Sequence, residues 1–144
     1  MATEFLTKKE QEAVVKCIEK AEQNTTGEIR VHIESYCEKD IIERAIDIFN
    51  QLKMYETENR NGILILIACN SHKLAIIGDE GVNTKVPEDF WHINTLLLGD
   101  GIKSGDIAGA ICNTIRIIGE KLKELYPYQG EDNNEQSNEI SYGS

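Results

Sequence analysis

Five acids and three carboxamides stand where the chain can turn and present them together. Glu28 follows Thr26-Gly27, Asp79 and Glu80 are bracketed by Gly78 and Gly81, and Asn59 and Asn61 flank Arg60 just before Gly62. Further along, Asp132, Asn134 and Glu135 fall close together. Carboxylate and carboxamide oxygens are hard donors, the ligand type that Ca²⁺ takes and that Mg²⁺ takes with stricter geometry. Clustered carboxylates repel one another, and a divalent cation removes that repulsion. The competing description is three polar loops with solvated acids. A second chemistry is phosphoryl transfer, with Arg60 as a clamp and Thr26 as a hydroxyl donor. The chain has no phosphate-cradling glycine loop and no Cys-x5-Arg signature to complete it. His32, His72 and His92 are scattered, and Cys17, Cys37, Cys69 and Cys112 include no Cys-x-x-Cys pair. That spacing lacks the close pairs of a structural zinc site. The four thiols are expected to be reduced and unbridged, three of them in apolar segments as small hydrophobes.

The elements that must position these residues are legible in the periodicity. Thr7 and Glu10 form a capping box, and Ala13, Val14, Cys17, Ile18 and Ala21 follow on one helical face to about Gln23. Glu28 to Ser35 alternates, with Ile29, Val31 and Ile33 on one side, which predicts a strand with one buried face. Asp40 and Glu43 open a second helix carrying Ile42, Ala45, Ile46, Phe49 and Leu52. Ile63 to Cys69 is continuously apolar, as a central strand covered on both faces should be. Asn70-Ser71 turns the chain into a third strand at 73–78. Pro87 fits the first turn of a helix through Trp91 and Leu98, with Gly99-Asp100-Gly101 expected to interrupt it. The longest helix follows and stops before Pro127.

The order α-β-α-β-β-α-α predicts a three-layer α/β/α sandwich around a small mixed sheet. The first two strands are joined through a helix and should run parallel with a right-handed crossover. The third should run antiparallel to the second. The loops at Glu28, Asn59–Gly62 and Gly78–Gly81 then converge on one edge of the sheet. That convergence makes Glu28 and Asp79 the central ligand candidates.

Composition bounds the partners. The 144 residues suit one domain, expected at 5–127, followed by a tail at 128–144. The formal charge is −10, which argues against a nucleic-acid binder and against docking on an anionic membrane. The longest apolar run, Ile63 to Cys69, is far short of the roughly 20 residues that span a bilayer. The start of the sequence has no apolar stretch of signal-peptide length, so a cytoplasmic location is expected. The tail holds Glu131, Asp132, Glu135 and Glu139 and no base. It is expected either to stay disordered or to fold back on the metal site with Asp132, Asn134 and Glu135.

Taken as an ordered set, these loops resemble the TPM domain family. The matching segments are Thr25-Thr26-Gly27-Glu28 before Ile29-Arg30-Val31, Arg60-Asn61-Gly62 before an apolar strand, and Gly78-Asp79-x-Gly81 after the next, with Phe90-Trp91 following. The likeness covers about residues 5 to 126 and is greatest to short bacterial members in which the domain stands alone before an acidic tail. The resemblance implies an α/β/α sandwich, calcium binding as attributed to some members and acid phosphatase activity as attributed to plant ones. Carried over by motif, Glu28 and Asp79 are the site residues. Asp132-Asn133-Asn134-Glu135 resembles the Asp-x-Asn-Glu ending of short members, but Gln136-Ser137-Asn138 follows where Leu-Pro and acids are usual. Many members are exported or membrane-tethered, and from this the family analogy adds a further reading, an interaction module for a membrane-associated assembly. An apolar patch around Trp91 would favour it, although Trp91 itself is expected in the core.

Overall fold

Thr7 starts the first helix as the sequence predicts. In the computed structural model, which describes residues 2–128 and 139–143, Thr7 Oγ1 accepts from the Glu10 amide at 3.1 Å and Glu10 returns the bond at 2.9 Å. Helix α1 then spans Lys8–Glu22, β1 Glu28–Glu34, α2 Ile41–Gln51, β2 Gly62–Ala68 and β3 Lys73–Gly78. A single turn, α3, follows at Glu80–Asn83, then α4 at Phe90–Lys103, α5 at Ile107–Leu125 and β4 at Ser141–Tyr142. The sheet order is β3-β2-β1-β4. Strands β1 and β2 are parallel, β2 and β3 antiparallel, and β4 lies parallel to β1.

Strand β2 is buried along its whole length, and its alternation divides the core. Ile63, Ile65 and Ile67 join Ile29, Val31 and Ile33 beneath α1, α4 and α5. Leu64 and Leu66 face the opposite way, onto Ala45, Ile48 and Phe49 of α2. The architecture is the expected α/β/α sandwich. No described helix is long and apolar enough to cross a membrane.

Three sequence expectations are corrected. Helix α4 runs straight through Gly99-Asp100-Gly101. Leu98 is fully buried, and Ile102 packs against the same core. That burial outweighs a glycine penalty of about 1 kcal/mol per residue. The loop after Gly78 contains the one-turn helix α3. The cysteines are not all free, because Cys17 and Cys112 form a disulfide with Cα atoms 5.7 Å apart. Helices α1 and α5 lie side by side, and a separation of 95 residues in sequence hides that neighbourhood. Cys37 and Cys69 remain thiols. Closing so long a loop stabilises a fold by about 2–4 kcal/mol.

Strand β4 extends the sheet beyond the three predicted strands. Gly143 N donates to Ile33 O at 2.8 Å, and Ser141 Oγ lies 2.7 Å from His32 Nδ1. His32 Nε2 sits 3.3 Å from Glu34 Oε1, and Glu34 is paired in turn with Arg44 of α2. Arg30 and Arg44 are the other charges that act on His32. Burial holds the His32 pKa below its ordinary value, against the pull of Glu34. Burial alone would raise the Glu34 pKa, but its bonds to Arg44 and His32 outweigh that and hold it low. Both shifts have one sign. A group with a depressed folded pKa binds more protons when unfolded, so stability is full above the unfolded pKa and falls as pH drops through the folded one. The urea midpoint should therefore decline below about pH 6.5, and the protection factor of the Gly143 amide should fall in step. His32→Gln should remove the first decline and leave the carboxylate step at lower pH. A wild-type midpoint that stays flat between about pH 7 and 5 would contradict this account.

Candidate functional site

The parallel pairing places Glu28 beside Gly62, and the antiparallel pairing places Ile63 beside Gly78. The starts of β1 and β2 and the end of β3 therefore share one edge, and the three loops anticipated from connectivity meet there. Glu28 N donates to Asn61 O at 3.4 Å, and Asp79 N donates to Gly62 O at 2.9 Å. Glu28, Asn61 and Asp79 are all buried. Thr26 Oγ1 accepts from the side-chain amides of both Asn59 (3.3 Å) and Asn61 (3.2 Å). Thr57 Oγ1 accepts from Asn61 N at 3.2 Å. The Asn61 carboxamide oxygen is buried and finds no hydrogen-bond partner among the described residues. A buried carbonyl oxygen without a partner costs about 1–3 kcal/mol, so this acceptor is the unsatisfied group at the edge.

Arg60 changes the electrostatics that the sequence suggests. Its Nε and Nη2 reach the two Asp79 oxygens at 2.7 and 2.9 Å, a bidentate fork. Its Nη1 reaches Glu80 at 3.1 Å. The bond to Asp79 raises the Arg60 pKa further above its already high value. Arg60 is thus committed to two acids rather than presented to a phosphate. Asp79 also accepts from Glu80 N at 2.8 Å and so caps α3. The cation that neutralises Asp79 here is a side chain two residues before β2.

Backbone contact holds the loops in place. Arg60 sits in the left-handed region at φ 50°, uncommon for a residue with a side chain. Its carbonyl accepts from Gly81 N at 2.9 Å. Helix α5 closes the edge from behind. Tyr126 Oη donates to Gly81 O at 2.7 Å, and Thr25 Oγ1 donates to the Leu122 and Tyr126 carbonyls at 3.0 and 2.6 Å. Trp91, half-buried, donates from Nε1 to Asn83 Oδ1 at 2.8 Å and packs against the core.

Of the sequence candidates, Glu28 and Asp79 come to one edge. Asp132, Asn134 and Glu135 lie outside the described residues. No group of three or more His, Cys, Asp or Glu side chains could hold a metal among the described residues. The donor set at this edge is two carboxylates supplemented by the Asn61 carboxamide. Sequence reasoning gave Asn61 only a supporting part and did not pair Arg60 with Asp79. The adjacency of Arg60 and Asn61 to the Gly62 strand start was the available signal for both.

A methyl group at Gly81 would overlap the backbone oxygens of Asn59 and Arg60, and backbone cannot swing aside as a side chain can. Gly81→Ala should therefore destabilise the protein by about 3 kcal/mol, near the upper range for single substitutions. At Gly99, inside α4, an added methyl meets only Leu74 at 3.4 Å. Gly99→Ala should stabilise by about 0.5–1 kcal/mol through the helix term. Urea melts of the two variants measure both signs, and equal effects would refute the close approach at Gly81.

The comparisons agree with this architecture. A TPM domain profile matches residues 2–121. The NMR structure of the BA42 protein from the psychrophilic bacterium Bizionia argentinensis is 38% identical, covers 99% of each chain and superposes with a TM-score of 0.91. The N-terminal domain of the cg2496 protein from Corynebacterium glutamicum shares the fold at 12% identity, with a TM-score of 0.65 over 83% of this chain and 76% of that one. Comparison with the curated proteins finds no match. The chain belongs to the TPM domain family.

Proposed function

We propose that the edge formed by the Glu28, Asn61 and Asp79 loops binds a divalent cation, calcium in preference to magnesium. The observation that carries this reading is the buried Asn61 carboxamide oxygen, which has no partner among the described residues. It shares its loop junction with the buried Glu28, whose amide bonds to the Asn61 carbonyl. An all-oxygen set drawn from loops suits the adaptable coordination of Ca²⁺ better than the strict octahedron of Mg²⁺. When bound, the ion would supply positive charge to this edge. Glu28 and Asn61 are the core ligands in this reading. Asp79 is the third, and Arg60 competes for it. The expectation that Asp132, Asn134 and Glu135 add ligands is kept within the proposal. It draws support from the flanks of their segment. Tyr128 N donates to Asn24 O at 3.1 Å, just before β1, and Glu139 acts electrostatically on Arg30 within β1.

A second reading, an interaction module for a membrane-associated assembly, is favoured by a different observation. Ile93, Leu96 and Leu97 stand 47, 55 and 51% exposed on α4, an apolar ridge where a soluble surface is usually polar. Metal-dependent phosphatase activity remains an implication of family resemblance only. The disulfide points to an oxidising compartment and weighs against the cytoplasmic location expected from the sequence.

Calcium titration followed by amide NMR and by thermal melting tests the proposal. A ligand that binds only the folded state adds RT ln(1 + [L]/Kd), about 2.7 kcal/mol at a hundredfold excess. That corresponds to roughly 5–10 °C in Tm at this size. The shifts should centre on Thr26–Glu28, Asn59–Gly62 and Asp79–Gly81. Glu28→Gln should abolish them. Arg60→Gln should tighten binding by freeing Asp79, although it weakens the fold. No thermal shift at millimolar calcium would sink the metal reading and leave the α4 ridge as the better guide.

A further inference from the structure

The disulfide is not sealed inside the core. Cys17 and Cys112 are half-buried, and both line a groove of about 510 Å³ between α1 and α5. At the floor of the groove Gly119 of α5 lies against Ala21 of α1, where an added Cβ would stand 2.8 Å from that of Ala21. Above this floor stand Lys20 from α1 and Arg116 and Lys123 from α5. The one acid in the lining is Glu120, which pairs with Arg116 at 3.2 Å. Arg116 is also held by Asn113 Oδ1 at 2.8 Å, so its guanidinium is fixed beside the groove. Lys20 and Lys123 form no salt bridge among the described residues. Three cations against one carboxylate is a local excess of positive charge on a chain whose net charge is −10.

Two independent features thus coincide, an accessible disulfide and a cationic approach to it. Thiol–disulfide exchange runs through a thiolate, and both its attack and its departure respond to neighbouring charge. We propose that the Cys17–Cys112 pair is a redox-exchange site whose groove selects an anionic low-molecular-weight thiol, of the carboxylate-bearing peptide-thiol class. The thiolate attacks one cysteine sulfur and forms a mixed disulfide. The S–S bond breaks, and its electron pair leaves on the other cysteine as a thiolate beside the cations. A second thiolate attacks the sulfur of the bound thiol. The small disulfide departs, and the first cysteine is released. Two thiols lose two electrons in total, the protein disulfide gains them, and solvent supplies the protons. In the dithiol state, the Ala13 carbonyl, 3.7 Å from Cys112 Sγ, is a ready acceptor for that thiol. The contacts of Val14, Ile18, Ile115 and Ile118 with the core keep α1 and α5 packed when the bond is open. Cys37 and Cys69, outside the groove lining, serve as internal controls.

The test measures second-order reduction rates of the oxidised, full-length protein under native conditions, each corrected for the thiolate fraction of the reductant. The reductants are glutathione (anionic), 2-mercaptoethanol (neutral) and cysteamine (cationic). Mass mapping of the products locates the reacting cysteines. In the wild type at low salt, glutathione should react about tenfold faster than the neutral thiol, and cysteamine should be the slowest, as charge steering of this size predicts. About 1 M salt should erase the preference. So should the variant Lys20→Gln/Arg116→Gln/Lys123→Gln, which should slow glutathione about tenfold more than it slows 2-mercaptoethanol. Circular dichroism should show the reduced protein still folded. The proposal is overturned if thiol counting finds four free thiols before reduction, if the bond opens only in denaturant, or if the three reductants keep the same relative rates in wild type and variant.

Discussion

Seven residues of β1 run parallel to seven of β2, from Glu28 beside Gly62 to Glu34 beside Ala68. Parallel neighbours need a crossover, and α2 supplies it on the face that Leu64 and Leu66 present. Strand β3 then returns along the free side of β2. With those two pairings set, two strand starts and one strand end must lie together. The site's residues need no attraction for one another, because the ladder brings them to the edge. A slip of one residue between β1 and β2 would also turn the Ile29, Val31 and Ile33 row away from the core. The burial that stabilises the sheet is therefore what holds the loop residues in register.

The fold compensates the buried acids Asp79 and Glu34 with one arginine each. Asp79 is nearly covered and is met by the Arg60 fork. Glu34, at the other end of β1, is equally covered and is met by Arg44. Each arginine comes from outside the strand that carries the acid, from the β2 entry loop in one case and from α2 in the other. Burying a carboxylate is tolerable only with such a partner. The two solutions differ in exposure. The Arg60 side chain is 42% exposed and Arg44 28%, so solvent screens the Arg60–Asp79 pair more. Asn61 is the remaining strain at the edge, a neutral acceptor enclosed with no hydrogen to receive among the described residues.

Much of this was legible from one sequence because the signals were local. Apolar alternation in β1, the unbroken isoleucine-rich run of β2 and the Thr7 capping box each depend on neighbours within a few residues. Topology followed from the helix between β1 and β2. What escaped was non-local or too short to have a period. Strand β4 is two residues long and is held by His32 and the Ile33 carbonyl, neither adjacent in sequence. The Cys17–Cys112 bond depends on which faces of α1 and α5 meet. Gly99-Asp100-Gly101 reads as a breaker by propensity, and tertiary burial of Leu98 and Ile102 overrides it. Arg60 was visible as a cation, but its pairing with Asp79 depends on the left-handed turn that brings its backbone onto Gly81.

Helix α5 connects the edge to the groove. Its middle carries Cys112 and Gly119, which set the distance to α1, and Tyr126, just beyond its end, holds the Gly81 carbonyl and, through its own carbonyl, Thr25 and Thr26. The acidic edge and the cationic groove thus share one rigid element, and Lys123 of the groove lining follows directly on Leu122, whose carbonyl accepts from Thr25. Asn24, at the other wall of the groove, likewise precedes Thr25, and its carbonyl accepts from Tyr128 N at 3.1 Å. The helix packing that sets the groove therefore also fixes where Thr25 and the Gly81 carbonyl sit, because Leu122 and Tyr126 hold both.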